Sequence, residues 1–224
     1  MTDPKIRAVL TGDIVHSRTL NENQRKSLYQ ELLNLSVRLQ EMYPQVISYP
    51  ISIFRGDGWQ LVLDQPEKSL VIALLIRTYI SSRFTENRLD SRVAIGIGKI
   101  NFIPEENAAA GDGPAYLSSG HLLEAMTRER MAIDIDEMKN SAILSGLQSI
   151  ILLTDHIVTR WSHSQAQAIY LAMQGKKQSD IGHEWKPREI SQVAVSKNLK
   201  SAGWETIKQV IDTYETLVKE SSKK

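Results

Sequence analysis

The sequence predicts an α+β protein, with a mixed β-sheet and helices over residues 1–140 and an all-helical part after it. Three observations carry this reading. Residues 6–10, 51–63 and 92–100 are short apolar runs rich in β-branched side chains, and they alternate with segments whose leucines recur at helical spacing. Gly56-Asp57-Gly58 interrupts residues 51–63 as a tight turn does, which makes that stretch a β-hairpin. From residue 141 onward the pattern is helical, in pieces separated by Gly, Lys and Pro.

The elements follow in order. Residues 6–10 form a buried strand that ends at Thr11-Gly12-Asp13, and residues 14–20 are a connection holding His16, Ser17 and Arg18. Asn21 or Asn23 can cap a helix with Leu28, Leu32, Leu35 and Leu39 on one face, running to Met42 before Pro44. The hairpin closes at Asp64-Gln65-Pro66. Residues 67–84 form a second helix with Leu70, Val71, Leu74, Leu75 and Tyr79 facing inward. Residues 92–100 are a strand whose Gly96 and Gly98 permit close approach. Residues 101–112 are a loop, Gly113-Pro114 opens a third helix through Met126, and residues 130–135 form a short strand. The order βαββαβ followed by αβ fits a ferredoxin-like sheet with its helices on one face. In that topology the hairpin lies beside the first strand, and Asp13 and Asp57 meet at one edge. Two such carboxylates repel unless a cation sits between them, and Mg²⁺ is a hard cation suited to oxygen ligands.

Composition narrows the class. A hydrophobic content of 42% and a charged content of 24% in 224 residues describe a globular chain with a core, and the absence of cysteine excludes disulfides and thiolate metal sites. Residues 1–7 lack the apolar core of a signal peptide, and the longest apolar run, residues 70–76, is too short to span a bilayer. A cytoplasmic protein without a membrane partner is expected. The net charge of +1 is uneven. Residues 154–224 carry 11 basic and 8 acidic side chains against 16 and 18 in residues 1–153, a balance that suits a polyanion partner for the C-terminal part.

Residues 141–161 read as one amphipathic connecting helix, dividing the chain into 1–140, 141–161 and 162–224. Ser162 or Ser164 caps the next helix, which Gly175 stops, and residues 179–185 form a short one. Ser191 caps a helix in which Val195 and Leu199 pack inward while Gln192, Ser196, Lys197 and Lys200 stay outside. This is the pattern of a helix-turn-helix, although the turn at Lys186-Pro187-Arg188-Glu189 is longer than usual. Ser191, Gln192, Ser196, Lys197 and Lys200 are the candidate contacts to double-stranded DNA. Residues 204–217, with Trp204, Ile207, Ile211 and Tyr214, add a helix for the core or for a homodimer contact.

Residues 6–135 resemble the palm domain of class III nucleotide cyclases and of GGDEF diguanylate cyclases. Gly12-Asp13-Ile14-Val15 is similar to their first motif and Gly56-Asp57-Gly58 to their second. The resemblance implies Mg²⁺ ligands at Asp13, Ile14 and Asp57. It implies nucleotide or phosphate contacts from Val15, His16, Ser17, Arg18, Gly56 and Gly58, with the 14–18 loop at a helix N-terminus offering backbone N–H groups. Ile53 stands where class III cyclases carry a purine-selecting Lys, and Ser118 and Leu122 stand where they carry the transition-state Asn and Arg. Phosphoryl transfer needs cationic groups on the reacting oxygens, so these replacements point to ligand sensing rather than turnover. The alternative is a divergent metal-dependent cyclase or phosphotransferase with an accessory helical module. Over nearly its full length the chain resembles the SatD family, through the start Gly12-Asp13-Ile14-Val15-His16-Ser17-Arg18, the central Gly-Asp-Gly hairpin and the C-terminal helix-turn-helix. A DNA-binding transcriptional regulator with a ligand-sensing palm is the function expected.

Overall fold

The sheet is assembled around β1 (Ile6–Val15), which has a strand on each side. β3 (Gly58–Leu63) runs antiparallel to it from Ala8↔Leu63 to Asp13↔Gly58. β4 (Asp90–Lys99) runs antiparallel on the other side, from Ile6↔Lys99 to Val15↔Asp90. β2 (Ser52–Phe54) extends the sheet beyond β3, and β5 (Met131–Ile135) lies parallel to β4, giving the order β2-β3-β1-β4-β5. The sheet is mixed, and with eight α-helices among the described residues the protein is α+β. This computed structural model describes residues 5–54, 56–84, 86, 88–104, 107–136, 138 and 141–221; Arg55 of the hairpin and the basic end Lys223-Lys224 lie outside the described residues.

β1 runs on to Val15, past the apolar run that predicts it. Asp90, Ser91 and Arg92 of β4 stand opposite Val15, Ile14 and Asp13, so the ladder satisfies this backbone whatever its side chains. Asp13 therefore sits inside the strand, not after it.

Alternation sorts the two faces. Ala8, Leu10 and Ile14 join a core with Leu28, Leu32, Leu35 and Leu39 of α1 (Glu22–Met42) and the apolar body of α2 (Ser69–Arg83). Val9 belongs to a second, smaller cluster with Val62, Ala108, Ala115 and Tyr116 under α3 (Pro114–Ala125). The expectation of helices on one face is thus corrected: both faces carry apolar side chains, and both are covered. α3 lies close because Gly96 has no side chain; a Cβ there would stand 2.3 Å from the Ala115 carbonyl oxygen. On the other face Gly12 makes room for an indole. A Cβ at Gly12 would lie 2.4 Å from Trp59, whose ring crosses β1 and donates through Nε1 to Ser91 Oγ at 2.9 Å.

The later helices share this core. α4 (Ala142–Val158), capped by Ser141, packs along β5 and ends short of the predicted Trp161. α5 (His163–Ala172), with a Ser162–Gln165 capping box, packs on α2. α6 (Gln178–His183) and α7 (Gln192–Ala202) follow, α7 starting at the Ser191 cap and stopping at Gly203. α8 (Trp204–Ser221) returns to the start of α2, where Tyr214 and Ser69 hydroxyls bond at 2.6 Å and Lys68 pairs with Glu215 at 2.7 Å. One buried apolar cluster extends from Ala8 to Val218.

Candidate functional site

Asp13 and Asp57 come to the same end of the sheet. Gly58 faces Asp13 across the β1–β3 ladder, and Asp57 immediately precedes it in the hairpin turn. Gly56 takes a φ of 86° there, and a Cβ on Gly58 would lie 2.7 Å from the Phe54 ring, so turn geometry accounts for both glycines. The cation present at this edge is a side chain. Arg92, directly opposite Asp13 on β4, holds its carboxylate with Nε at 2.9 Å from Oδ1 and Nη2 on Oδ2, and gives Nη1 to the Met126 carbonyl at 3.0 Å. The bond to Asp13 is the main reason that the Arg92 guanidinium is pushed above its ordinary range, and the Asp57 charge adds to it. Asp57 accepts a hydrogen bond from the buried Ser17 hydroxyl. The Ser91 hydroxyl donates to the Asp13 carbonyl at 2.8 Å on the β4 side. Successive carbonyls of a strand alternate, which directs that of Ile14 towards the hairpin, while its side chain is in the core.

The residues after β1 divide. Ser17 turns towards Asp57, whereas His16, in the left-handed conformation at φ 66°, lines a different cavity with Arg88, Arg130 and His163. Val15 ends the strand and Arg18 is exposed. A 3-10 turn, Ser17–Thr19, separates the loop from α1, and the Asn21–Gln24 capping box already uses N–H groups at the α1 start. The predicted loop at a helix N-terminus is corrected accordingly. Ser118 gives its hydroxyl to Asp134 at 2.7 Å. Among the described residues no group of three or more His, Asp or Glu side chains could hold a metal ion.

Sequence reasoning missed Arg92 and, behind it, a buried charge network. Arg77 of α2 is 1% exposed and uses every guanidinium nitrogen. Nε and Nη2 bond Asp90 at 3.0 and 2.6 Å, Nη1 bonds Asp155 of α4 at 2.7 Å, and Nη2 also reaches Thr159 at 3.0 Å. Arg130 adds Nη1 to Asp90 at 2.6 Å and its backbone N–H to Asp155 at 2.8 Å. Burial acts to raise the Asp90 carboxyl, but the two guanidiniums outweigh it and hold Asp90 below the usual carboxylate range. The available signal was Arg77 itself: a charge inside Leu-Val-Ile-Ala-Leu-Leu-Ile-Arg-Thr-Tyr-Ile, an all-apolar helix, must be buried and therefore paired.

α7 presents the predicted polar face outward. Val195 and Leu199 are buried, and Gln192, Ser196, Lys197 and Lys200 are exposed together with Val193, at 77% exposure. Gln178, at the start of α6, borders the same groove. Ser191 is also exposed, with its hydroxyl accepting the Ala194 N–H at 3.2 Å as the helix cap. α7 rests on both α5 and α6. The Glu184–Ser191 connection folds back so that the Ile190 N–H bonds the Gly182 carbonyl at 3.1 Å. Trp161, just before α5, donates its indole N–H to the Ala202 carbonyl in the last turn of α7 at 2.9 Å.

Fold and site together define an α+β protein with a carboxylate–guanidinium sheet edge and a C-terminal helical part that exposes one polar helix. The model of the SatD family matches residues 7–216, and the chain belongs to the SatD family. A search of curated proteins finds no match to it. No helix of the described residues is long and apolar enough to cross a membrane.

Proposed function

We propose that the protein is a DNA-binding transcriptional regulator in which the α7 face enters the major groove and the sheet domain senses a nucleotide or phosphate ligand through Mg²⁺. The observation that carries the reading is the α7 surface. Gln192 offers the amide that pairs with adenine edges, Val193 an exposed apolar group suited to a thymine methyl, and Lys197 and Lys200 charges for phosphates. The packing of α7 against α5 and α6 supports a helix-turn-helix domain. The strand order β2-β3-β1-β4, with β1 antiparallel to both neighbours, supports the ferredoxin-like palm. A homodimer is part of the proposal, and Leu152, Leu153 and Ile157 are exposed on α4, the helix that precedes the DNA-binding part.

The donor chemistry at the sheet edge suits Mg²⁺, which takes one or two carboxylates and completes its shell with phosphates and water. Asp13, Asp57 and the Ile14 carbonyl would hold it. Arg92 neutralises one of the two carboxylates, leaving room for an ion that arrives with its own anionic ligands. The hydroxyl of Ser118 is engaged with Asp134 and Leu122 is apolar, which favours a sensor over a divergent metal-dependent cyclase or phosphotransferase.

The test is a titration of native promoter DNA with the intact protein. Specific binding is expected, and Lys197→Ala and Lys200→Ala should each weaken it and lower the salt slope by about 1. Absence of binding by the intact protein refutes the regulator. For the sensor, nucleotide with Mg²⁺ should raise the melting temperature of the wild type and not of Asp57→Asn.

A further inference from the structure

The cavity that His16 lines, of about 540 Å³, lies at the junction of the sheet with the helices that follow it. The end of β1 and the α2–β4 connection form one side, and the α4–α5 connection forms the other. Clefts at such junctions are favoured places for small ligands. His16 and Arg88 are the two non-glycine residues with positive φ among the described residues, at 66° and 48°, and both line it. Such backbone is held at a cost, and it gathers at ligand sites. The buried charge network fixes the wall behind them. Arg130, whose side chain is 25% exposed, gives Nη1 to Asp90 and leaves Nε and Nη2 without a partner among the described residues. Asp90 is the one carboxylate on the wall, and Arg77 and Arg130 already share it. His163 is oriented from α2: the Ser81 carbonyl accepts from Nδ1 at 2.9 Å, so Nδ1 carries a proton and Nε2 is the free nitrogen. Arg88 has no ion pair or hydrogen bond among the described residues. Phe84 and Trp161 add aromatic walls, with Trp161 pinned by its indole bond to Ala202.

We infer that this cavity binds a small molecule that carries a phosphate on a planar or apolar body. The phosphate would meet Arg88, the free nitrogens of Arg130 and the His163 imidazolium, and the body would lie against Phe84 and Trp161. Two guanidiniums and an imidazole match the double charge and three oxygens of a phosphate better than those of one carboxylate. Asp90 is satisfied from within the protein and does not oppose the anion. The inference rests on neither the α7 surface nor a metal at the Asp13–Asp57 edge.

Calorimetric titration of the full chain in EDTA with inorganic phosphate, phenyl phosphate and AMP tests it. Phenyl phosphate or AMP should bind more tightly than inorganic phosphate, and equally well to Asp57→Asn. Arg88→Gln should weaken that binding about ten-fold or more, and so should His163→Asn, whose amide can still donate to the Ser81 carbonyl. Arg88→Gln removes a side chain without a partner among the described residues, so it should melt with the wild type. Failure of both ring-bearing probes, or undiminished binding by either variant, overturns the site. A melting temperature of Arg88→Gln well below the wild type overturns it as well, because Arg88 would then have a structural partner.

Discussion

Replacing Arg77 with Met retains an unbranched side chain and removes the charge that joins α2, β4 and α4. Asp90 and Asp155, with side chains 10% and 8% exposed, then lose their main partner inside the protein. Breaking a buried ion pair from one side costs about 3–5 kcal/mol, a large part of the roughly 5–15 kcal/mol that holds a folded domain together. At about 2–4 °C per kcal/mol for a chain of this size, the melting temperature should fall by about 6–20 °C. The pH dependence separates lost pairing from lost packing. In the wild type Asp90 is held below its ordinary value of 3.8, so its contribution is present above that pH and fades as the pH falls through the lower folded-state value. In Arg77→Met, the buried Asp90 keeps Arg130 as its compensating charge, which favours its protonated form more than in the wild type, and the variant gains relative stability on acidification. The difference between the two proteins should therefore narrow between urea titrations near pH 7 and near pH 5. A loss under about 1 kcal/mol, or a difference that stays constant or widens in acid, refutes the pairing argument.

Three further outcomes follow from the packing. Gly12→Ala places a methyl within 2.4 Å of both the Trp59 indole and the Arg92 carbonyl, and should cost about 1–3 kcal/mol in a urea titration; unchanged stability would mean that Trp59 does not lie across β1. Tyr214→Phe deletes the buried bond to Ser69 that ties α8 to α2, with an expected loss of about 0.5–1.5 kcal/mol. Trp161→Phe removes the indole N–H from Ala202, and amides in the last turns of α7 should exchange faster while those of β1 keep their protection.

Much of this architecture was legible because local signals agreed with the tertiary outcome. Leu28, Leu32, Leu35 and Leu39 mark the buried face of α1, Ser191 caps α7 as expected, and of the paired candidates Asn21 or Asn23 and Ser162 or Ser164 it is Asn21 and Ser162 that cap α1 and α5. The polar end of β1 was not legible, since its extension to Val15 depends on partners supplied by β4 and not on its own residues. The second covered face was hidden for a related reason: Val9 and Val62 are apolar in runs that already look buried, and nothing in them says that α3 crosses to the opposite side. Gly96 carried that information, but a glycine in a strand announces close approach without naming what approaches.

Asp13 and Asp57 come to the same end of the sheet, where Arg92 holds the Asp13 carboxylate and Ser17 donates to that of Asp57. A ladder partner cannot be read from an aspartate alone; it follows only once β4 is set in register, when Arg92 falls opposite Asp13. Two carboxylates and one guanidinium leave a net charge of −1 where two free carboxylates would leave −2. The attraction for a bare divalent ion is reduced accordingly, and a metal that arrives bearing phosphates gains a contact from the same guanidinium. Mg²⁺ alone should thus shift the melting temperature little, Mg²⁺ with a nucleotide should shift it more, and Arg92→Gln should reverse that order by strengthening the ion alone and weakening the nucleotide complex. Equal shifts with and without nucleotide in the wild type would show that Arg92 plays no part in what this edge binds.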